Sequence, residues 1–206
     1  MLPRRGAAMK RILVLAFSVV GLLIAAFVVA VVMRPGHVHV ERSTIVEGAA
    51  VEDVEPLLRD LRAFNEWSPW DALDPDMERT YSEKTDEVGS VYAWKGNDEV
   101  GTGSITITGI EPGKITMHLR FVEPFEDEAD ASLRYEPAGD GVKVTWTFDQ
   151  DLGFMGKAMS LFMDFDEMLG KDYEKGLSNL KSLAIEAAGR RKAAAATGGS
   201  PAAAME

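Results

Sequence analysis

The chain has 206 residues, no cysteine and a formal net charge of −11. The length fits one domain with appendages, and the absence of Cys excludes disulfides, Cys-ligated zinc and thiol catalysis. Between residues 36 and 187, 32 Asp and Glu face fourteen Lys and Arg, a charge of about minus eighteen, which repels phosphate backbones and excludes nucleic-acid binding as the main task.

Residues 1–11 are basic, with Arg4, Arg5, Lys10 and Arg11 and no acidic residue. Residues 12–33 carry no charge and are almost wholly Val, Leu, Ile, Ala and Phe. At about 1.5 Å per residue this run crosses a hydrocarbon core of about 30 Å. A single-pass anchor in the cell membrane is expected. The basic residues before it place the N-terminus in the cytoplasm and the remaining chain on the extracytoplasmic side. A cleaved signal peptide is the competing reading, but its apolar region is normally about 7 to 15 residues, and no small-x-small site precedes Arg34.

From Gly36 the pattern alternates. His37 to Val46 reads as a strand, and Val51 to Leu61 as a short helix with Glu52 and Asp53 in its first turn, where they complement the dipole. Trp67-Ser68-Pro69-Trp70 and an acidic loop, Asp71 to Asp76, follow. Strands are then expected at Glu78–Ser82, Val88–Lys95, Gly101–Ile110, Lys114–Val122, Glu126–Glu136 and Gly141–Asp149, separated by short Gly, Pro and Asn turns. Such consecutive strands pair antiparallel. Val142, Val144, Trp146 and Phe148 share one parity in the last strand, as do Ile115, Met117, Leu119 and Phe121 earlier, so one sheet face is buried.

A single long helix over Phe154–Ile185 is expected to cover that face. Its apolar stripe runs through Phe162, Phe165, Leu169, Tyr173, Leu177, Leu180 and Ala184 at spacings of three and four. The first half is wider and rich in Met, including Met155, Met159, Met163 and Met168. Gly156, Gly170 and Gly176 each cost about 1 kcal/mol against Ala inside a helix, which points to close backbone packing or a bend. Residues 188–206, an Ala- and Gly-rich run with one basic triplet, read as a disordered tail.

Signals for catalysis are sparse. The three His are scattered, and His118 falls on the polar parity of its strand. Gly101-Thr102-Gly103 lacks the following helix of a dinucleotide site. Asp71, Asp74 and Asp76 lack the Gly and terminal Glu of an EF-hand, so no metal and no cofactor are expected. Tyr92, Lys95 and Glu123 are the only ionisable residues near the apolar face, and none has an evident partner in sequence.

The order of elements, together with Trp67-Ser68-Pro69-Trp70, Trp94-Lys95-Gly96-Asn97, Phe121-Val122-Glu123-Pro124-Phe125, Thr145-Trp146 and the run Gly170 to Leu177, resembles the START-like (SRPBCC) superfamily, in its bacterial polyketide cyclase/dehydrase and lipid-transport branch. The resemblance covers residues 36–187. It implies an α+β helix-grip fold, a curved antiparallel sheet wrapped on a long C-terminal helix, with a cavity for a hydrophobic small molecule such as a lipid, quinone or polyketide. Carried over to this chain, the wall would comprise Trp94, Met117, Phe121, Trp146, Met159, Phe162 and Met163, with Trp67 and Trp70 at the mouth. The same residues simply filling a core is the alternative. At the level of function, binding without chemistry is favoured; the alternatives are a cyclase-type enzyme and an acidic module that docks a basic protein without ligand.

Overall fold

A computed structural model of the chain describes residues 5–198, with side chains from 9 to 196. Two compact units emerge, one comprising residues 1–36 and 152–164, the other residues 37–151 and 165–206.

In the first unit, α1 (Arg5–Val32) is a continuous helix whose Met9–Val32 stretch, 24 residues of mean hydropathy 3.1, carries its apolar side chains exposed. By length and composition it suffices to cross a membrane, and a signal sequence has the same signature. The second segment of this unit contains α4 (Phe154–Met159), which packs on α1.

The second unit is a seven-stranded, wholly antiparallel sheet. Its strands are β1 (His37–Glu47), β2 (Glu78–Tyr81), β3 (Val91–Lys95), β4 (Thr102–Glu111), β5 (Lys114–Glu123), β6 (Asp127–Ala138) and β7 (Gly141–Asp151). The order across the sheet is β1-β7-β6-β5-β4-β3-β2, a meander with the first strand returned to pair with the last. Register shifts between Thr102 and Gly103 and between Ile107 and Gly109 accompany the curvature of the sheet. The alternation is realised on β5, while on β7 the residues of the polar parity, Thr145 and Thr147, are buried too. Ile115, Met117, Val142, Val144 and Trp146 are buried, whereas His118 lies on the outer face against Asp130 at 2.9 Å.

α5 (Phe165–Gly198) closes the inner face with Tyr173, Leu177, Leu180, Ala184 and Ala188 buried. Arg42 of β1 secures its start, donating to both carboxylate oxygens of Asp166 at 3.0 Å and to Glu174 at 3.2 Å; Lys181 pairs with Glu47 at 2.6 Å. Gly176 explains itself, since a Cβ there would meet Cζ3 of Trp146 at 2.9 Å and Cδ of Pro69 at 3.1 Å. The close packing expected of this glycine is present.

Three expectations are corrected. The helix predicted over Phe154–Ile185 is two helices, broken at residues 160–164, where the Ser160 hydroxyl turns back to the Lys157 carbonyl at 2.8 Å and Asp166 and Glu167 open a new first turn. The short helix over Val51–Leu61 is likewise split into α2 (Val51–Arg59) and α3 (Leu61–Trp67), because Asp60 ends one and caps the other through its carboxylate on the Arg62 N–H at 2.8 Å. The tail expected to be disordered from residue 188 is helical to Gly198; residues 199–206 lie outside the described residues. Arg191 holds this extension by donating from Nε and Nη2 to Asp53 at 2.8 and 3.0 Å, and Lys192 reaches the Gly48 carbonyl at 2.7 Å. The Ala-rich composition, read as low complexity, also carries the highest helix propensity.

Candidate functional site

The middle of β7 presents Trp146 to the space between sheet and helices. Its ring stacks on Tyr173 of α5 with centroids 3.8 Å apart and planes 11° from parallel. Three further aromatic residues meet it edge-on: Trp67 at 5.1 Å, Trp70 at 5.8 Å and Phe64 at 5.9 Å. T-shaped pairs like these three are an arrangement the ring quadrupoles favour. α3 supplies Phe64 and Trp67, the loop after it supplies Trp70, and Gly176 lets α5 come close enough to complete the cluster.

The four tryptophans differ in one respect. Trp67 donates its indole N–H to the Leu57 carbonyl at 2.8 Å, Trp94 to the Val100 carbonyl at 3.0 Å and Trp70 to the Asp172 carboxylate at 3.3 Å. Trp146, only 2 % exposed, has no hydrogen-bond partner for its buried Nε1. An orphaned buried donor costs about 1–3 kcal/mol, and most native structures avoid it.

A second aromatic row crosses β2, β3 and β5. Tyr81 stacks on Tyr92 at 5.2 Å, Tyr92 lies 5.7 Å from Trp94, and Trp94 meets Phe121 edge-on at 6.3 Å. Gly103 lies directly under the Trp94 ring; a Cβ there would fall 2.5 Å from its Cζ2. Around this row are Asn65, which donates to the Tyr81 hydroxyl, Arg62, whose guanidinium lies 4.3 Å over the Tyr81 ring, and Arg79, which donates to Asp71 at 2.8 Å. Burial pushes the Tyr92 phenol up to about 12 and raises Tyr173 further, so both stay protonated at neutral pH.

Of the nine residues named from sequence, Trp94, Met117, Phe121, Trp146, Trp67 and Trp70 all belong to the sheet-and-helix unit. Met117 is buried on β5, opposite Ile107 and Ala131. Trp67 is corrected: assigned to the mouth, it is fully buried as the last residue of α3, because the unpredicted helix turns its ring onto Trp146. Trp70 is half-buried, tied to α5 through Asp172. Met159, Phe162 and Met163 belong instead to the first unit, and Phe162 is 80 % exposed. Sequence reasoning missed Phe64 and Tyr81 as members of the aromatic rows, and placed Tyr92 near the apolar face without counting it in the wall. Tyr92 and Trp94 share a parity in one strand, a signal that was available; Phe64 depended on α3. Lys95 and Glu123 are exposed, Glu123 accepting from Thr102 Oγ1 at 3.0 Å. Among the described residues no group of three His, Cys, Asp or Glu is arranged to hold a metal ion. Asp71 and Asp74 are engaged in loop structure, with Arg79 and with the Asn97 N–H.

A curved antiparallel sheet, closed by a long C-terminal helix over an aromatic interior, defines the helix-grip class of α+β proteins. Residues 37–184 match the family described as polyketide cyclase/dehydrase and lipid transport, and the chain belongs to that family. No curated protein sequence matches it significantly. Similar solved structures include the Mll3558 protein of Rhizobium loti, with 15% identity, a TM-score of 0.54, and coverage of 71% of this chain and 96% of that one. The major latex-like protein 151 of Panax ginseng has 13% identity, a TM-score of 0.52 and coverage of 72% and 97%. The di-domain ARO/CYC StfQ of the steffimycin biosynthetic pathway has 14% identity and a TM-score of 0.53, covering 74% of this chain and 52% of that one. At these identities the likeness is one of fold.

Proposed function

We propose that this protein binds a hydrophobic small molecule bearing a hydrogen-bond acceptor, of the lipid, quinone or polyketide class, against the aromatic face between sheet and α5, and that α1 anchors it in the cell membrane with the domain on the extracytoplasmic side. Trp94 and Phe121, both half-buried, carry the aromatic surface for the ligand, with the buried Met117 and Trp146 behind them. The observation that carries the reading is the unpartnered indole N–H of Trp146, the one tryptophan of the four left without an acceptor. A carbonyl or ether oxygen placed there would satisfy it, while the surrounding rings bury the apolar body. Family membership supports a hydrophobic ligand. Binding is favoured over turnover because Lys95 and Glu123, two of the ionisable residues on this part of the sheet, are exposed to solvent.

The test compares a methylnaphthoquinone with methylnaphthalene on the full chain in mild detergent, read by quenching of tryptophan emission or by native mass spectrometry. The carbonyl-bearing probe is expected to bind roughly two- to ten-fold tighter, the value of one hydrogen bond, and Trp146→Phe should abolish the preference. Equal affinity for both probes in the unaltered chain refutes the role of Trp146. Failure of either to bind, with a basic protein co-purifying, favours docking, and conversion of a bound polyketide favours an enzyme.

A further inference from the structure

The Met-rich stretch between the last strand and the closing helix carries apolar residues that no core absorbs. In Leu152–Asp164, within the α1-containing unit, Phe154, Met155, Phe162 and Met163 are all exposed, Phe162 to 80 %. This stretch has one cation, Lys157, and one acid, Asp164, in a chain that is otherwise strongly acidic between residues 36 and 187. Four exposed large apolar side chains within ten residues form a patch, not the single scattered exposures normal on a surface.

Where this patch lies relative to α1 is fixed by direct bonds. Arg34 Nη2 donates to the Ser160 carbonyl at 2.7 Å, and the Leu152 N–H donates to the Gly36 carbonyl at 2.7 Å. The Lys157 side chain lies over Gly36, with Nζ 3.2 Å from where a Cβ would be. In the last turn of α1, Val31 is fully buried while Val32 is exposed, consistent with the packing of α4 on α1. The Met9–Val32 stretch of 24 residues is about 36 Å long, enough to cross a hydrocarbon core of about 30 Å. Arg34, two residues past its end, therefore marks headgroup depth. A segment bonded to Arg34 and Gly36 lies in the interfacial layer, which is where short amphipathic helices bury an apolar face and where cationic side chains reach the phosphates.

We infer that Leu152–Asp164 is a membrane-seated element: Phe154, Met155, Phe162 and Met163 enter the interface of the bilayer that α1 crosses, with Arg34 and Lys157 at the level of the headgroup phosphates. The inference rests on the proposed anchor role of α1. It assigns the apolar residues that no core accounts for to lipid, and it makes the connection between β7 and α5 a second contact with the membrane beside α1.

The chain contains no cysteine, so a single Cys carries a unique label. Phe162→Cys and, separately, Met155→Cys in the full chain are labelled with an environment-sensitive fluorophore, with Glu186→Cys on the exposed face of α5 as reference. Each is reconstituted in phosphatidylcholine/phosphatidylglycerol vesicles containing lipids spin-labelled near the headgroup. The expected result is blue-shifted emission at positions 162 and 155, quenched by the spin-labelled lipid and protected from aqueous iodide, with the reverse at 186. Alkaline carbonate extraction is run on the same vesicles. If the chain stays integrated and the labels at 162 and 155 are as iodide-accessible as the reference, the inference is overturned while the anchor stands. If those labels are protected from iodide but untouched by the lipid quencher, protein covers the patch and the inference is overturned as well. Release of the chain by carbonate overturns the anchor reading and the inference with it.

Discussion

Removing Arg191 tests whether the helical extension beyond residue 188 contributes to stability. The Asp53 side chain is 3 % exposed and serves three donors: the Ala50 N–H at 2.9 Å, and Nε and Nη2 of Arg191 at 2.8 and 3.0 Å. Arg191→Ala removes two charge-assisted bonds and leaves a buried carboxylate with one backbone partner. Bonds to charged groups contribute about 1.5–3 kcal/mol, and stranding one member of a buried pair costs about 3–5 kcal/mol. Arg191 itself is 42 % exposed, so water replaces part of what it supplied and the expected loss lies lower, about 2–3 kcal/mol. The pairing with Arg191, chiefly its hydrogen bonds, holds the Asp53 carboxyl below its ordinary range against the opposing effect of burial. A lowered folded-state pKa means stabilisation that is complete above the unfolded value of about 3.9 and lost as pH falls through the folded one. The difference between the unaltered chain and Arg191→Ala should therefore be full at neutral pH and narrow in acid. Urea unfolding of the detergent-solubilised chain, followed by tryptophan emission at several pH values, measures it. A loss under about 0.5 kcal/mol at pH 7, the size of an ordinary surface substitution, or a loss that does not narrow between about pH 5 and pH 2, would refute the reasoning.

Leu180→Ala, at a fully buried position of α5, should cost about 2–5 kcal/mol, whereas Phe162→Ala should fall within about 0.5 kcal/mol in detergent; equal losses in the same urea series would contradict the exposures assigned here. Gly176→Ala should destabilise in spite of a gain in helix propensity of about 1 kcal/mol, because its Cβ meets Trp146 and Pro69 at 2.9 and 3.1 Å, and a rise in the unfolding midpoint would mean those rings yield freely.

The sheet is legible in the sequence because apolar residues recur with period two: strands β1 to β7 lie within a few residues of their expected ends, and the buried parity of Ile115, Met117, Val144 and Trp146 follows from that alternation, although Thr145 and Thr147 on β7 are buried as well. Helix breaks are not. Asp60 and Ser160 interrupt apolar periodicities that continue on either side of them, and a periodicity count cannot tell a continuous stripe from two stripes joined by a cap. The same weakness affected the site. Pro69 and Ser68 signal a turn and with it a loop mouth for Trp67, whereas its burial depends on α3 turning the ring inward. The exposure of Phe162 and Met163 was hidden for a related reason: an apolar arc reads identically whether it faces a core, a cavity or a lipid. Arg191 was unreadable as a partner for Asp53, since 138 residues separate them.

The pairing of β1 with β7 sets an order of events in folding. Strands β2 to β6 each pair with the next strand in the chain, but β1 waits for β7, with Glu47 opposite Gly141 and His37 reaching Asp151 across 114 positions. Closing a loop on that scale costs more chain entropy than any of the other five strand pairings. During synthesis β1 is therefore made first and consolidated last, its inward residues Val40 and Val46 uncovered until β7 and α5 have emerged. A chain stopped before Gly141 would leave β1 unpaired and β6 as a raw sheet edge, a species with two open templates for association with its own copies.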